Sequence, residues 1–200
     1  QGATVPQTET VTITGTNDIP TVSAALTDEV AEGSASFAKN LLSGASDLDD
    51  GETATLGVTD VTYSVDGGVS SSTAPAGVSL SGHTLSVDPT DPAFDHLAVG
   101  SSTTIVVSYN VTDAQGATVP QTETVTITGT NDTPTVSAAL TDEADEGSAA
   151  FSRNLLEGAA DADDGATLYV GNLSFTVDGG SASTVPPAGV SLSGNMLSID

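Results

Sequence analysis

The sequence predicts an all-β fold, with antiparallel β-sandwiches joined in tandem. Three observations carry this. Residues Gln1–Asp18 (QGATVPQTETVTITGTND) return unchanged as Gln115–Asp132, an offset of 114 residues, and a fixed period is the first determinant of architecture. Strict alternation marks the best segment: Ile105, Val107, Tyr109 and Val111 interleave with Thr104, Ser108, Asn110 and Thr112, the pattern of a half-buried strand. Such runs are short, rich in threonine and separated by glycine and aspartate turn formers, and helix signals are nearly absent.

The repetition extends beyond the identical block. PTVSAALTDE from Pro20 matches Pro134 onward, ASFAKNLL from Ala35 answers AAFSRNLL from Ala149, and Ala76–Gly82 answers Ala188–Gly194. A period of this length suits a whole small domain with its own core. Residues 19–132 read as one complete repeat, 1–18 as the last strand of a preceding one, and 133–200 as the start of the next. That third piece ends at Asp200, the counterpart of Asp88, and is expected to lack about 44 residues of the pattern.

Within the complete repeat, Thr21–Leu26 is expected as a first strand, entered through Pro20. Asp28–Gly33 reads as an acidic turn and Ala35–Leu42 as a second strand, with Asn40–Leu42 open to a short helical turn. Gly44–Gly51 is an aspartate-dense loop. Val58–Val65 alternates, with Val61, Tyr63 and Val65 on one face, and Asp66-Gly67-Gly68 turns the chain. Val78–Leu80 and Thr84–Val87 form a tight hairpin around Gly82. Asp88–Gly100, with Pro89, Pro92 and Phe94, crosses to the strand containing Ile105. Asp113–Gly116 then turns into the last strand, where Val125 and Ile127 point inward. Seven or so short strands with frequent turns point to a sandwich of immunoglobulin-like type.

Charge excludes several functions. Twenty-seven acidic residues face only Lys39 and Arg153, a formal charge of −25. Such a chain repels phosphate backbones and anionic membranes, so no nucleic acid is expected as a partner. No apolar run reaches the length of a membrane-spanning helix, so no membrane insertion is expected. The absence of cysteine removes disulfides, thiol catalysis and cysteine-ligated metals. An enzyme is not expected either. His83 and His96 stand alone, His83 is replaced by Asn195 in the next copy, and no G-x-S-x-G elbow occurs. A paired-carboxylate glycosidase would need an aromatic cleft, and the chain holds three tyrosines, four phenylalanines and no tryptophan.

The ending TVTITGTND before a proline, the loop Asp47-Leu48-Asp49-Asp50-Gly51, and FDHLAVG…YNVTD over Phe94–Asp113 resemble the VCBS and cadherin-like repeats of large bacterial RTX-type adhesins. The likeness runs through the whole repeat. It implies a non-enzymatic extender on a bacterial cell surface, an extracellular stalk whose partners are the neighbouring repeats of its own chain.

Immunoglobulin-like topology says which acidic groups should meet. The entry linker Asn17-Asp18, the loop bearing Asp47, Asp49 and Asp50, and the turn at Asp113 belong to one pole. Glu29 and Glu32 belong to the other, where the next linker Asn131-Asp132 and the next loop with Asp161, Asp163 and Asp164 would meet them. Glu143 and Glu146 repeat the role of Glu29 and Glu32 one period on. Bare carboxylates about 4 Å apart repel by roughly 4 kcal/mol at an effective dielectric near 20. A hard cation with about six to eight oxygen ligands reverses that sign, so Ca²⁺ is the expected cofactor. The arrangement is similar to the cadherin junction, although Ile19-Pro20 follows the linker here in place of a further asparagine. An EF-hand reading of Asp47–Gly51 fails, because the spacing is one residue short and Val58 holds the place of the closing glutamate.

Two other functions are compatible with a repetitive surface protein. A carbohydrate- or protein-binding repeat would need an exposed aromatic or apolar platform. A strand-exchanging filament subunit, a form of self-association, would pair Gln1–Asp18 of one molecule with another copy.

Overall fold

The computed structural model describes residues 1–200, and it is nearly all β with no α-helix. Strands β1 (Leu26–Ala31), β2 (Phe37–Asn40), β3 (Gly57–Val65), β4 (Val78–Ser81), β5 (Thr84–Val87), β6 (Ser102–Thr112) and β7 (Thr118–Thr128) come from the complete repeat. Strands β8 (Thr135–Val136), β9 (Phe151–Asn154), β10 (Ala159–Ala160), β11 (Val190–Ser193) and β12 (Met196–Ile199) follow. By its internal contacts the chain divides into two compact units. One holds residues 1–29, 36–88 and 104–126; the other holds 30–35, 89–103 and 127–200.

Two sheets build the complete repeat, one ordered β1-β7-β6-β3 and one β2-β5-β4. Their inward positions are the alternating apolar residues of the sequence: Ile105, Val107 and Val111 from β6, Val125 from β7, and Leu85 and Val87 from β5, all essentially buried. The Tyr109 hydroxyl donates to the Leu41 carbonyl at 2.7 Å. A buried tyrosine needs such a partner for its polar end, and this one joins β6 to the chain leaving β2. The β1–β7 neighbours run in the same direction, since Gln121 Nε2 donates to the Ala24 carbonyl and Thr128 Oγ1 to that of Val30.

The first strand lies later than alternation suggested. Thr21 makes only a bridge to Ser46, whereas the expected acidic turn is strand β1, with Leu26, Asp28 and Val30 half-buried and Thr27 and Glu29 exposed. Polar residues there are tolerated because Asp28 meets Lys39, Nζ to Oδ2 2.8 Å. β3 also departs from plain alternation. A bulge between Thr59 and Thr62, with Asp60 at φ 53°, shifts the register; beyond it Tyr63 is buried, while Val65, the last residue of the strand, is exposed.

Residues 133–200 rebuild one sheet in the same register. Phe151 and Arg153 stand opposite Ile199 and Leu197, as Phe37 and Lys39 stand opposite Val87 and Leu85. The counterparts of β1 and β3 in this stretch form no strand. In the complete repeat those strands pair with β7 and β6, and residues 133–200 contain no equivalent of either. Gln1–Asp18, identical in sequence to the β7 region, is likewise exposed and outside any strand, with Ile13 90% exposed. Strand formation here follows the partner, more than the segment's own sequence.

Gly129, in the TGTND segment, is held by close approach. A Cβ there would lie 2.0 Å from the Leu97 carbonyl oxygen and 2.4 Å from that of Ala98. The chain leaving β7 thus runs flush against the loop 89–103, and the Gly129 N–H donates to Ser101.

Candidate metal centre

The aspartate loop is shaped by local hydrogen bonds before any cation is considered. Asp49 N–H donates to Asp47 Oδ1 at 2.9 Å, an Asx turn. Gly51, at φ 86°, then leads into a short 3-10 turn, Glu52–Thr55, in which the Glu52 N–H donates to the Asp49 carbonyl at 3.1 Å. That turn sends Asp50 out to solvent and brings Glu52 back. Asp47, Asp49 and Glu52 therefore form the carboxylate group, with one ligand oxygen from each within 4.8 Å of the others. Asp50, expected in the cluster, is exposed and gives its place to Glu52.

The linker joins from the N-terminal side. Asp18 N–H donates to Asp49 Oδ2 at 2.8 Å, and Asn17 Nδ2 donates to Asp113 Oδ2 at 2.9 Å. Asp113 is 6% exposed and its other oxygen accepts from the N–H groups of Gln115 and Ala117. The Asn17 amide, with help from the turn N–H groups, holds its carboxyl below the usual range. Asp113 thereby acts first as the anchor of Asn17. Gln115 Nε2 reaches Glu52 Oε1, which ties the same turn to the cluster.

The second copy repeats the frame. Asp132 N–H donates to Asp163 Oδ2 at 3.0 Å, and Asp163 N–H to Asp161 Oδ1 at 3.0 Å. Asp164, like Asp50, points its carboxylate to solvent, while its N–H donates to the His96 carbonyl at 2.9 Å. Burial raises the Asp132 carboxyl, and Asp163, Asp95 and Asp161 add to the shift by their charge. Asn131 Nδ2 turns onto the Asp132 carbonyl.

Of the glutamates expected at the far pole, Glu32 alone is buried, at 7% exposure. Its Oε2 accepts the N–H of Thr130, directly before Asn131, at 3.0 Å. Glu29 is exposed on the outward face of β1, and Glu143 and Glu146 are exposed in a segment that forms no strand. The structure brings none of these three into a cluster. Asp95 and Glu52 are the residues that sequence reasoning missed. Glu52 is present in one copy only, since Ala166-Thr167-Leu168 follows Gly165 directly where Glu52-Thr53 precedes Ala54-Thr55-Leu56 in the first, and Asp95 sits in a loop without periodicity.

The donor set fits a hard divalent cation. Asp47 Oδ2 and Glu52 Oε2 are sheltered from solvent without any hydrogen-bond donor, as are Asp132 Oδ2 and Asp163 Oδ1. Sheltered anionic oxygens lacking donors are costly unless a cation meets them. All candidate ligands are oxygen, which suits Ca²⁺ and excludes soft metals.

No helix is long and apolar enough to cross a membrane. No protein-family model matches the chain, and no curated protein matches it. Among solved structures, the chain is similar to the titin domains Z1Z2 in complex with telethonin, at 18% identity over 92% of this chain and 81% of that one. The TM-score is 0.33, too low for the likeness to bear on function.

Proposed function

We propose that this chain is a stretch of extender from a secreted bacterial surface adhesin: immunoglobulin-like, cadherin-like sandwiches in tandem, made rigid by Ca²⁺ at the joints between repeats. The observation that carries the reading is the recurrence of one frame, Asp18 on Asp49 and Asp132 on Asp163, at the same place in both copies. In each case the linker backbone is fastened to the carboxylate loop that follows it, and sheltered oxygens remain without donors. Asp47, Asp49 and Glu52 would hold the ion at the first joint, with Asp161, Asp163, Asp132 and Asp95 at the second. Extracellular modules of this chemistry bind calcium with Kd of ~10⁻⁴ to 10⁻³ M. The scarcity of aromatics and basic residues supports a spacer over a catalyst or a nucleic-acid binder.

The test is a calcium titration after EDTA treatment, followed by thermal melting and small-angle scattering. Calcium at about 100 times Kd should stabilise the folded chain by roughly 2.7 kcal/mol and lengthen the particle. Asp47→Asn with Asp49→Asn should remove the part of both effects that belongs to the first joint. Shape and melting temperature that ignore calcium would overturn the reading.

A further inference from the structure

Glu123 lies outside the junction chemistry and is the most deeply buried acid of the chain, at 0% exposure. It occupies an inward position of β7, in line with Val125 and Ile127, where alternation would place an apolar residue. Gln121, the inward residue before it, is satisfied by backbone groups of Ala24 and Thr122. Neither oxygen of Glu123 has a donor.

The charged and titratable groups facing it come from three elements: Asp28 on β1, Lys39 on β2 and Tyr109 on β6. Tyr109 spends its hydroxyl hydrogen on Leu41, and Lys39 sits 2.8 Å from Asp28. The site therefore contains two carboxyl groups and a single cation, and Lys39 is the only lysine or arginine in residues 1–132. Glu123 is sealed from water without a donor, and Lys39 is already engaged by Asp28, so burial favours the protonated form of Glu123. Lys39 is itself held charged, above all by its bond to Asp28, so the trio offers no nucleophile and its adjustable element is a proton.

We propose that Glu123 keeps its proton in the folded repeat, and that loss of this proton in mildly alkaline medium loosens the packing of β1 against β7. The device is a proton-dependent lock with Lys39 as its counter-ion. Burial pushes the Glu123 carboxyl up to about 7 from its ordinary 4.5, with Asp28 adding to the shift and Lys39 opposing it. The folded state then holds the proton more tightly than the unfolded chain. This contribution to stability is fully present below about pH 4.5 and is lost as pH rises through about 7. The next copy keeps half of the arrangement, as Arg153 pairs with Asp142, and Glu9 repeats Glu123 within the identical block.

The experiment compares the full chain with Glu123→Gln by denaturant unfolding between pH 5 and pH 8, once in EDTA and once in saturating calcium. The folding equilibrium constant of the unmodified chain should fall by roughly two orders of magnitude over that range, and that of Glu123→Gln by much less, in both media. The ¹³C resonance of the Glu123 carboxyl should titrate near neutrality, which decides the matter even if the variant fails to fold. Parallel pH profiles for the two proteins, or a Glu123 resonance that titrates in the ordinary glutamate range, would overturn the proposal. Since the lock contains no junction ligand, its failure would leave the calcium response untouched, and the reverse.

Discussion

The backbone N–H of Asp132 is bonded to Oδ2 of Asp163 at 3.0 Å, so the linker is fastened to the following loop through main chain, without relying on a flexible side chain. The carboxylate that accepts this bond belongs to the group proposed to hold calcium. Linker direction and the proposed metal site thereby meet in one residue, and Asp49 does the same for Asp18.

The two joints should differ in affinity. Glu52 adds a third carboxylate to the first loop, and the second loop lacks it, with Ala166 following Gly165 directly. Glu52→Ala should weaken calcium binding at the first joint by about tenfold, or ~1.4 kcal/mol, and Ala166→Glu should strengthen the second. Isothermal titration calorimetry on each single variant reads the change. Equal affinities in all three proteins would remove Glu52 from the ligand set.

Gly129→Ala should destabilise the chain by about 1–3 kcal/mol, the usual range for forcing atoms into a packed site. Its added methyl would meet the carbonyls of Leu97 and Ala98. The control is Gly15→Ala, which lies in the identical TGT sequence but has open space around it. It should change stability by less than about 0.5 kcal/mol. Chemical denaturation of the two variants separates a contact effect from a backbone-propensity effect.

Tyr109 provides an alkaline marker. Burial, with the Glu123 charge adding to it, raises its hydroxyl from 10.0 to about 12. The unfolded chain loses the phenolic proton first, so stability falls as pH climbs from about 10 towards 12. Tyr109→Phe should cost about 1 kcal/mol at neutral pH through loss of the bond to Leu41. It should also flatten the alkaline part of the profile, as seen by unfolding curves collected at each pH. Phenolate absorbance should show Tyr63 and Tyr109 titrating late, both raised by burial, and Tyr109→Phe should remove the component near 12.

Much of the fold was legible because strand alternation and repetition are local signals. The hairpin of β4 and β5 and the inward residues of β6 could be read directly from the sequence. The position of β1 could not, because Asp28 and Glu29 look like turn residues until Lys39 is brought beside them from β2. Asp47, Asp49, Asp161 and Asp163 stood out through their recurrence. Glu52 did not recur, and its place in the cluster depends on the 3-10 turn after Gly51. Glu123 was hidden for a different reason: in the run Gln121–Thr128, polar and apolar residues share the inward face, and only packing against the second sheet shows which of them is sealed from water. The failure of Gln1–Asp18 to form a strand, despite its identity with a segment that does, marks the limit of any local reading.

The parallel placement of β1 and β7 has a mechanical consequence. The chain enters the repeat just ahead of β1 and leaves it just beyond β7, so a tensile load along the protein pulls these neighbouring strands in opposite senses. Their cross-links, among them Gln121 to Ala24 and Thr128 to Val30, are then strained together in shear, whereas an antiparallel pair pulled from one end would unzip rung by rung. The repeat is thus built to yield late and all at once when it is stretched.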